Sequence, residues 1–219
     1  LEKFVEKINQ KTRMIFIANP NNPTGTYLSH NSIINFLKKV PSEIIVVIDL
    51  AYYEYVIADD YIKPLEILQN FQNVLITKSF SKIHALSALR IGYGMGNKKL
   101  IEIMNRVRQP FNVNAIAQEA AIAALSDTDY LQKSIDNNTI EREFICECLD
   151  KMSVEYIPSQ GNFICINVKT NGTEIFESLM QKGVIVRPIE LYDMPTFIRV
   201  TIGKRSENEF FIEKLKECL

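Results

Sequence analysis

The sequence carries almost no surplus charge: 25 lysines and arginines stand against 26 aspartates and glutamates, a formal net charge of -1. Proteins that bind nucleic acid or anionic membranes leave a basic footprint, and this balance offers none. No apolar run approaches the roughly 18 residues that a membrane-crossing helix requires, and no charged-then-apolar signal segment opens the chain. The four cysteines, Cys146, Cys148, Cys165 and Cys218, lack the spacing of metal ligands. Cys146 and Cys148 lie two apart in a helical pattern, where side chains point to different sides. The set reads as reduced, mostly buried thiols in a cytoplasmic protein. Asn137-Asn138-Thr139 and Asn171-Gly172-Thr173 match the glycosylation acceptor pattern, but without a secretory signal both read as chance. Internal repeats and low-complexity linkers are also missing. The first residue is Leu1 rather than Met, which reads as a start inside a longer polypeptide.

What remains is ordinary globular composition, 47% hydrophobic and 23% charged over 219 residues, enough for one large domain or two modest ones. Three early runs rich in β-branched residues stand out: MIFIAN (14–19), EIIVVID (43–49) and NVLITKS (73–79). They are near-continuous rather than alternating, as in strands buried on both faces of a parallel sheet. SHNSIINFLKKV lies between the first two with Ser29 as its N-cap, and KPLEILQNF precedes the third, both with helical patterns. Strand, helix, strand, helix, strand spells a doubly wound α/β sheet. LRIGYGMG reads as another strand, and NKKLIEIMNRVRQ as a helix ending at Pro110. A helix-rich stretch runs from Asn114 to Met152, with an apolar stripe that includes Leu131, Ile135, Phe144, Ile145 and Leu149. The grammar then changes. EYIPS, NFICINV, VIVRPIE and FIRVTIG are short strands around the helix TEIFESLMQKG, before a last helix, SENEFFIEKLKECL. A boundary near residues 125 to 130 divides a large domain, 1–127, from a smaller α+β domain, 128–219.

The early strands each deliver polar groups at their carboxyl ends, where open α/β sheets bind ligands. The first ends in NPNNPTG (19–25), the second in Asp49 and Tyr52, the third in Ser79, Ser81 and Lys82. Taken singly, each has an ordinary explanation. NPNNPTG is rich in turn formers, Asp49 can cap the next segment, Lys82 can be a solvated loop lysine and Arg90 a surface charge. Amide, carboxylate, phenol and amine converging at strand ends is harder to explain that way. Downstream, Arg199 sits among the apolar residues of FIRVTIG, where an unpaired cation is costly, and Arg187 sits in VIVRP. An internal salt bridge is the plain explanation for each.

NPNNPTG, VVIDLAYYEY and SFSKIHALSALRIGY together resemble the fold-type I pyridoxal-phosphate enzymes of the class I and II aminotransferases. RQPFNVNAIAQEAAIAAL, PSQGNFICI, GVIVRP and FIRVTIG are similar to the histidinol-phosphate aminotransferase subgroup. The resemblance implies the aminotransferase fold: a mostly parallel sheet with flanking helices and a smaller α+β carboxyl-terminal domain. It implies pyridoxal 5'-phosphate as cofactor, and a homodimer with a shared active site in the cytoplasm. It also implies roles for single residues. Lys82 forms the Schiff base and shuttles protons, in keeping with a lysine partly uncharged through desolvation or nearby cations. Asp49 pairs with the pyridinium nitrogen, so that the ring accepts carbanion electrons. Asn22 and Tyr52 hydrogen-bond the ring's phenolic oxygen. Ser79, Ser81 and Arg90 hold the cofactor phosphate, the guanidinium as a charge-assisted fork. Arg199 takes a substrate carboxylate and Arg187 the phosphate of histidinol phosphate. Lys78, the rival to Lys82, lies inside the strand rather than directly after Ser81. His84 reads as a pocket wall, and His30 as the start of a surface helix.

The implied reaction moves an amino group between L-histidinol phosphate and a 2-oxo acid, 2-oxoglutarate, in L-histidine biosynthesis. An aromatic aminotransferase and a threonine-phosphate decarboxylase are alternatives on the same scaffold. A non-catalytic, ligand-binding aminotransferase-like module, or a truncated copy, is the alternative of another class. Three departures from the family pattern bear on these readings. Leu50 replaces a carboxylate, and Ala88 stands where relatives usually carry glycine before Leu-Arg, which matters if that position needs a positive φ angle. The segment that relatives have before NPNNPTG, with its glycine turn for the cofactor phosphate and its stacking aromatic, has no counterpart here.

Overall fold

In the computed structural model, which describes residues 1–219, the backbone gathers into two compact units. Unit 1 comprises Leu1–Pro20 and Tyr27–Thr128; unit 2 comprises Asn21–Thr26 and Asp129–Leu219.

Unit 1 runs α1 (Glu2–Lys7), β1 (Met14–Ala18), α2 (His30–Leu37), β2 (Ile45–Asp49), α3 (Pro64–Asn70), β3 (Val74–Ser79), β4 (Gly92–Gly96), α4 (Lys98–Val107) and α5 (Ala115–Ser126). Its sheet has the order β1-β2-β3-β4, with the first three strands parallel and β4 antiparallel to β3. This is the α/β architecture with a mostly parallel sheet that the strand and helix patterns implied. β4 reverses direction because the 80–91 loop holds only a short 3-10 turn, not the crossover helix a parallel return demands. The helix starts are set by local chemistry. Ser29 Oγ accepts from Ser32 N at 3.3 Å to cap α2, and Pro64 occupies the first turn of α3, where its missing N–H costs nothing.

Strand periodicity sorts the sheet into two faces. Ile15, Ile17, Val46, Ile48, Val74 and Ile76 meet Ile33, Phe36, Leu37 and Ile67 of α2 and α3 in one core. The other face carries Met14 and Phe16, which are 47% and 66% exposed. The expectation of strands buried on both faces therefore fails for β1. It is an edge strand, covered on its core side alone, so its alternate residues stay at the surface.

Unit 2 holds α6 (Thr128–Lys151), which enters it at Asp129, then β5 (Tyr156–Ile157), β6 (Phe163–Asn167), α7 (Gly172–Gln181), β7 (Arg187–Pro188), β8 (Phe197–Thr201) and α8 (Arg205–Cys218). Its sheet is antiparallel throughout, in the order β5-β6-β8-β7. The runs 155–159 and 184–190 shrink to two-residue strands because both lie at the sheet's edges, where pairing is available on one side only. Ile145, Leu149, Ile164, Ile166, Leu179, Ile198 and Leu215 form the core beneath. Glu141 on α6 accepts from Arg205 Nε at 2.9 Å and from Asn208 Nδ2 at 2.8 Å, so this buried carboxylate is paired. The 21–26 tip is bonded into the same unit: Cys165 Sγ donates to Pro23 O at 2.7 Å and Gln160 N to Gly25 O at 2.8 Å. Gly25 has φ +74°, and a Cβ there would run into Ser159, so both backbone and space require glycine.

Candidate active site

In unit 1 the chemistry collects where β2 and β3 end. Asp49 is the register partner of Thr77, which pairs in turn with Gly94, while Ser79 pairs with Gly92. These residues share the face opposite the α2–α3 core, and the alternating glycines of β4 leave that floor without side chains. A Cβ on Gly92 would lie 2.7 Å from Lys78 O, so glycine lets β4 close against β3 at this point. A cavity of about 350 Å³ opens here, walled by Asp49, Thr77, Ser79, Ser81, Arg90 and Gly92 among others. The larger cavity of unit 1, about 670 Å³ between α1 and α2, gathers no comparable set: its walls are Phe4, Val5, Phe36 and scattered surface groups.

The rim of the smaller cavity is hydrogen-bonded into a cup. Ser79 Oγ accepts from Ser81 N at 3.0 Å, and Arg90 Nη1 donates to Ser81 Oγ at 3.3 Å and to Ser87 O at 2.6 Å. Both arginine bonds leave from one nitrogen, so Nε and Nη2 keep their donors for an anion. Asp49 accepts from Ala51 N at 3.0 Å, which orients its carboxylate and leaves lone pairs to spare.

The two lysines of this region differ in their company. Lys78 Nζ is 2.5 Å from Glu54 Oε1 and 4.1 Å from the centre of the Tyr53 ring. Lys82 forms no salt bridge; its Nζ lies 5.1 Å from the centre of the buried Tyr52 ring. An ammonium already held by a carboxylate is a poor nucleophile, whereas Lys82 has no such partner. His84 packs on Phe80 with ring centres 5.1 Å apart, and burial pushes its imidazolium below the usual range, helped by Lys78 and opposed by Glu54.

The backbone of the lysine loop is strained in a place the sequence does not flag. Ala88 lies in the short turn Ser87–Leu89 with no positive φ, whereas Ala85 has φ +57° and Arg90 +52°. Ala85 N donates to Lys82 O at 2.9 Å, which closes the turn directly after the lysine.

Unit 2 carries the remaining expected residues. Arg187 on β7 and Arg199 on β8 are direct register partners. Residues opposite each other on antiparallel strands sit on one face, and like charges so placed repel. Neither arginine forms a salt bridge, so the plain explanation for each does not apply. Arg199 Nη1 instead donates to Asn22 Oδ1, and its guanidinium stacks 5.0 Å from the Phe163 ring centre. Asn22, expected as a companion of Tyr52, thus has Arg199 as its partner within unit 2; Tyr52 belongs to unit 1. Cys165, the register partner of Arg199 on β6, is pushed up to about 12 by burial against the opposing pull of Arg199, so it remains a neutral thiol.

Three residues escaped the sequence reading. Glu54 signalled itself as a lone acid within the aromatic run YYEY, since buried acids need a cation. Asn19 is fully buried, with its side chain donating to Leu28 O at 3.0 Å and accepting from Leu28 N at 2.8 Å, which ties the two ends of the 20–27 excursion. Ala85 has no sequence signal at all.

The family described as aminotransferase class I and II matches residues 1–215. The histidinol-phosphate aminotransferase of Caldicellulosiruptor saccharolyticus is 48% identical over 219 residues, all of this chain and 61% of that protein. Histidinol-phosphate aminotransferase 1 of Nitrosococcus oceani is 44% identical, again over all of this chain and 59% of the relative. The chain therefore spans about three fifths of the length of the curated relatives it matches. Among solved structures, the histidinol-phosphate aminotransferase of Sinorhizobium meliloti in complex with pyridoxal-5'-phosphate superposes with a TM-score of 0.87 at 27% identity. That match covers 94% of this chain and 56% of the other. The Clostridium acetobutylicum enzyme of the same name gives 0.90 at 25% identity, over 99% and 66%.

Proposed function

Since this chain belongs to the class I and II aminotransferase family, we propose that it is the larger part of a pyridoxal-phosphate-dependent transaminase. Its amino donor is L-histidinol phosphate and its acceptor 2-oxoglutarate, in L-histidine biosynthesis. The observation that carries the reading is a cavity walled by the carboxylate of Asp49, the hydroxyls of Thr77, Ser79 and Ser81 and the guanidinium of Arg90, with an amine that forms no salt bridge, Lys82, directly after Ser81 in the chain. Those groups fit the cofactor in kind. A phosphate suits the hydroxyls and the guanidinium of Arg90, a basic ring nitrogen suits the carboxylate of Asp49, and an aldehyde suits an amine. The names of the relatives, at 41–48% identity, support the donor.

When bound, the cofactor supplies an electron sink for the carbon that bears the substrate's amino group. The chain's own residues do the rest. Asp49 keeps a proton on the ring nitrogen. Ser79, Ser81 and Arg90 hold the phosphate and fix the ring's position. Tyr52 would hydrogen-bond the ring's phenolic oxygen, a role that the family resemblance also gives to Asn22. Lys82 Nζ holds the cofactor between turnovers and moves the proton to and from the reacting carbon. Arg199 and Arg187 take the anionic ends of the substrates, the carboxylate of 2-oxoglutarate or the phosphate of histidinol phosphate, and either anion offsets the repulsion between the two cations. The proposed enzyme is a cytoplasmic homodimer, as the family resemblance implies.

Titration with pyridoxal phosphate tests this on the full-length parent protein and on this chain, followed by half-reactions with histidinol phosphate, phenylalanine and threonine phosphate. A visible absorbance band lost in Lys82→Ala, and turnover of histidinol phosphate, are the expected results. Equal cofactor binding after Lys82→Ala overturns the lysine assignment. Turnover of phenylalanine alone points to the aromatic enzyme, carbon dioxide from threonine phosphate to the decarboxylase, and binding without turnover to a ligand-binding module.

A further inference from the structure

The Glu54–Lys78 pair has no part in the roles above, yet it occupies a telling place. Glu54 belongs to the 3-10 turn Tyr53–Tyr55, immediately after Tyr52. Lys78 is the penultimate residue of β3, between Thr77 and Ser79 and four positions before Lys82. The pair therefore joins the segment that presents the Tyr52 phenol to the segment that presents the phosphate cup and the reactive amine. Each of its side chains is only 14% exposed. An exposed ion pair holds geometry weakly, whereas a desolvated one resists separation because either partner alone is left as an unpaired charge. The Tyr53 ring closes over the ammonium, and Tyr61, His84 and Tyr93 are the other titratable groups that feel Glu54. The Tyr61 hydroxyl donates to Asn19 O, so the surroundings of the pair are themselves tied to the end of β1.

We propose that Glu54 and Lys78 are a positioning pair: their ion pair sets the placement of Tyr52 relative to Lys82 and so the geometry in which the cofactor ring is held. The inference rests on the cofactor reading above and adds to it Lys78, which borders the same cavity, and its partner Glu54. It also gives Lys78 a function that keeps its amine from competing with Lys82.

Five forms of the full-length protein test the proposal: wild type, Lys78→Arg, Lys78→Met, Glu54→Gln and the double variant Glu54→Gln/Lys78→Met. The double variant leaves no orphaned charge, so it folds even where a single variant fails to. Three quantities are measured: the melting temperature without cofactor, the dissociation constant for pyridoxal phosphate, and the pH midpoint of the bound cofactor's visible absorbance. Borohydride reduction followed by peptide mass spectrometry reports which lysine carries the cofactor. The double variant is expected to melt close to wild type, bind about tenfold more weakly, show a displaced pH midpoint and still be modified at Lys82. Lys78→Arg, which keeps the charge, is expected to retain wild-type affinity and midpoint. A double variant with wild-type affinity and midpoint overturns the proposal, as does a lowered melting temperature with an unmoved midpoint, which marks a purely structural pair. Failure of wild type to be modified at Lys82 is a separate result; it removes the cofactor reading itself.

Discussion

Replacing Ala85 and Ala88 by glycine, one at a time, separates two views of the lysine loop. Both alanines are exposed, so neither change removes a buried methyl, and the effect reports on the backbone. Ala85 sits at φ +57°, where an L-residue loses roughly 1–2 kcal/mol through the clash of Cβ with the following carbonyl. Glycine relieves that clash but loses about 0.4–1 kcal/mol through the greater freedom of its unfolded chain. The balance for Ala85→Gly is about 0.5–1 kcal/mol in favour of the folded state. Ala88 has no positive φ and lies in a short helical turn, where glycine costs about 0.5–1 kcal/mol. The two variants should therefore move in opposite directions and differ by about 1.5 kcal/mol. The chain has no tryptophan, so far-ultraviolet circular dichroism during urea unfolding is the suitable probe. The comparison uses midpoints at constant slope. Ala88→Gly as stable as Ala85→Gly, or more so, refutes the assignment of the strain and returns attention to Ala88.

Asn19→Ala removes two buried bonds to Leu28 and orphans its backbone groups, so it should cost about 2–3 kcal/mol in the same urea experiment. Arg187→Ala relieves the repulsion from Arg199 and should raise stability by about 0.5 kcal/mol. It should also weaken histidinol phosphate binding at least tenfold, measured calorimetrically on the cofactor-loaded full-length protein. The Cys165 thiol, raised in the folded state to about 12, stabilises the fold fully below its ordinary range near 9. That contribution is lost as pH rises from there toward about 12, because the unfolded chain ionises first. Alkaline unfolding should thus begin later in Cys165→Ala, and at pH 8 the native thiol should react with iodoacetamide far more slowly than in urea.

The order of strands and helices was legible because each parallel strand is a short apolar run and each crossover helix a separate amphipathic pattern, with Ser29 and Pro64 marking helix starts. The direction of β4 was not legible from LRIGYGMG, since pairing direction depends on what the preceding loop contains rather than on the strand itself. The exposure of Met14 and Phe16 was hidden for a similar reason. An edge strand and a central strand read alike in residue type, and only the strand order tells them apart. Of the candidate site residues, those on one strand or one loop were the easier to place. Ser79, Ser81 and Arg90 come together through the single 79–90 segment. The pairing of Arg199 with Asn22 joins residues far apart in sequence and has no local signal.

The proposal of Lys82 over Lys78 as the reactive lysine has support in the strand register as well as in family likeness. β3 alternates faces, and Val74 and Ile76 are fully buried in the α2–α3 core. Lys78 follows at the same parity, so a strand in that register carries its ammonium toward the buried side, where it must find an anion. Ser79, one residue on, turns to the open face with Asp49 and Thr77. Lys82 lies beyond the last ladder pair and escapes the alternation, so nothing in the sheet compels it to be paired. The same parity explains the company of Asp49. Its row across the sheet is Ala18, Asp49, Thr77 and Gly94, small neighbours on either side of one carboxylate. A bulky residue at position 18 would fill the floor beside that carboxylate, whereas alanine leaves it open, and Gly94, on the far side of Thr77, keeps the next part of the floor bare.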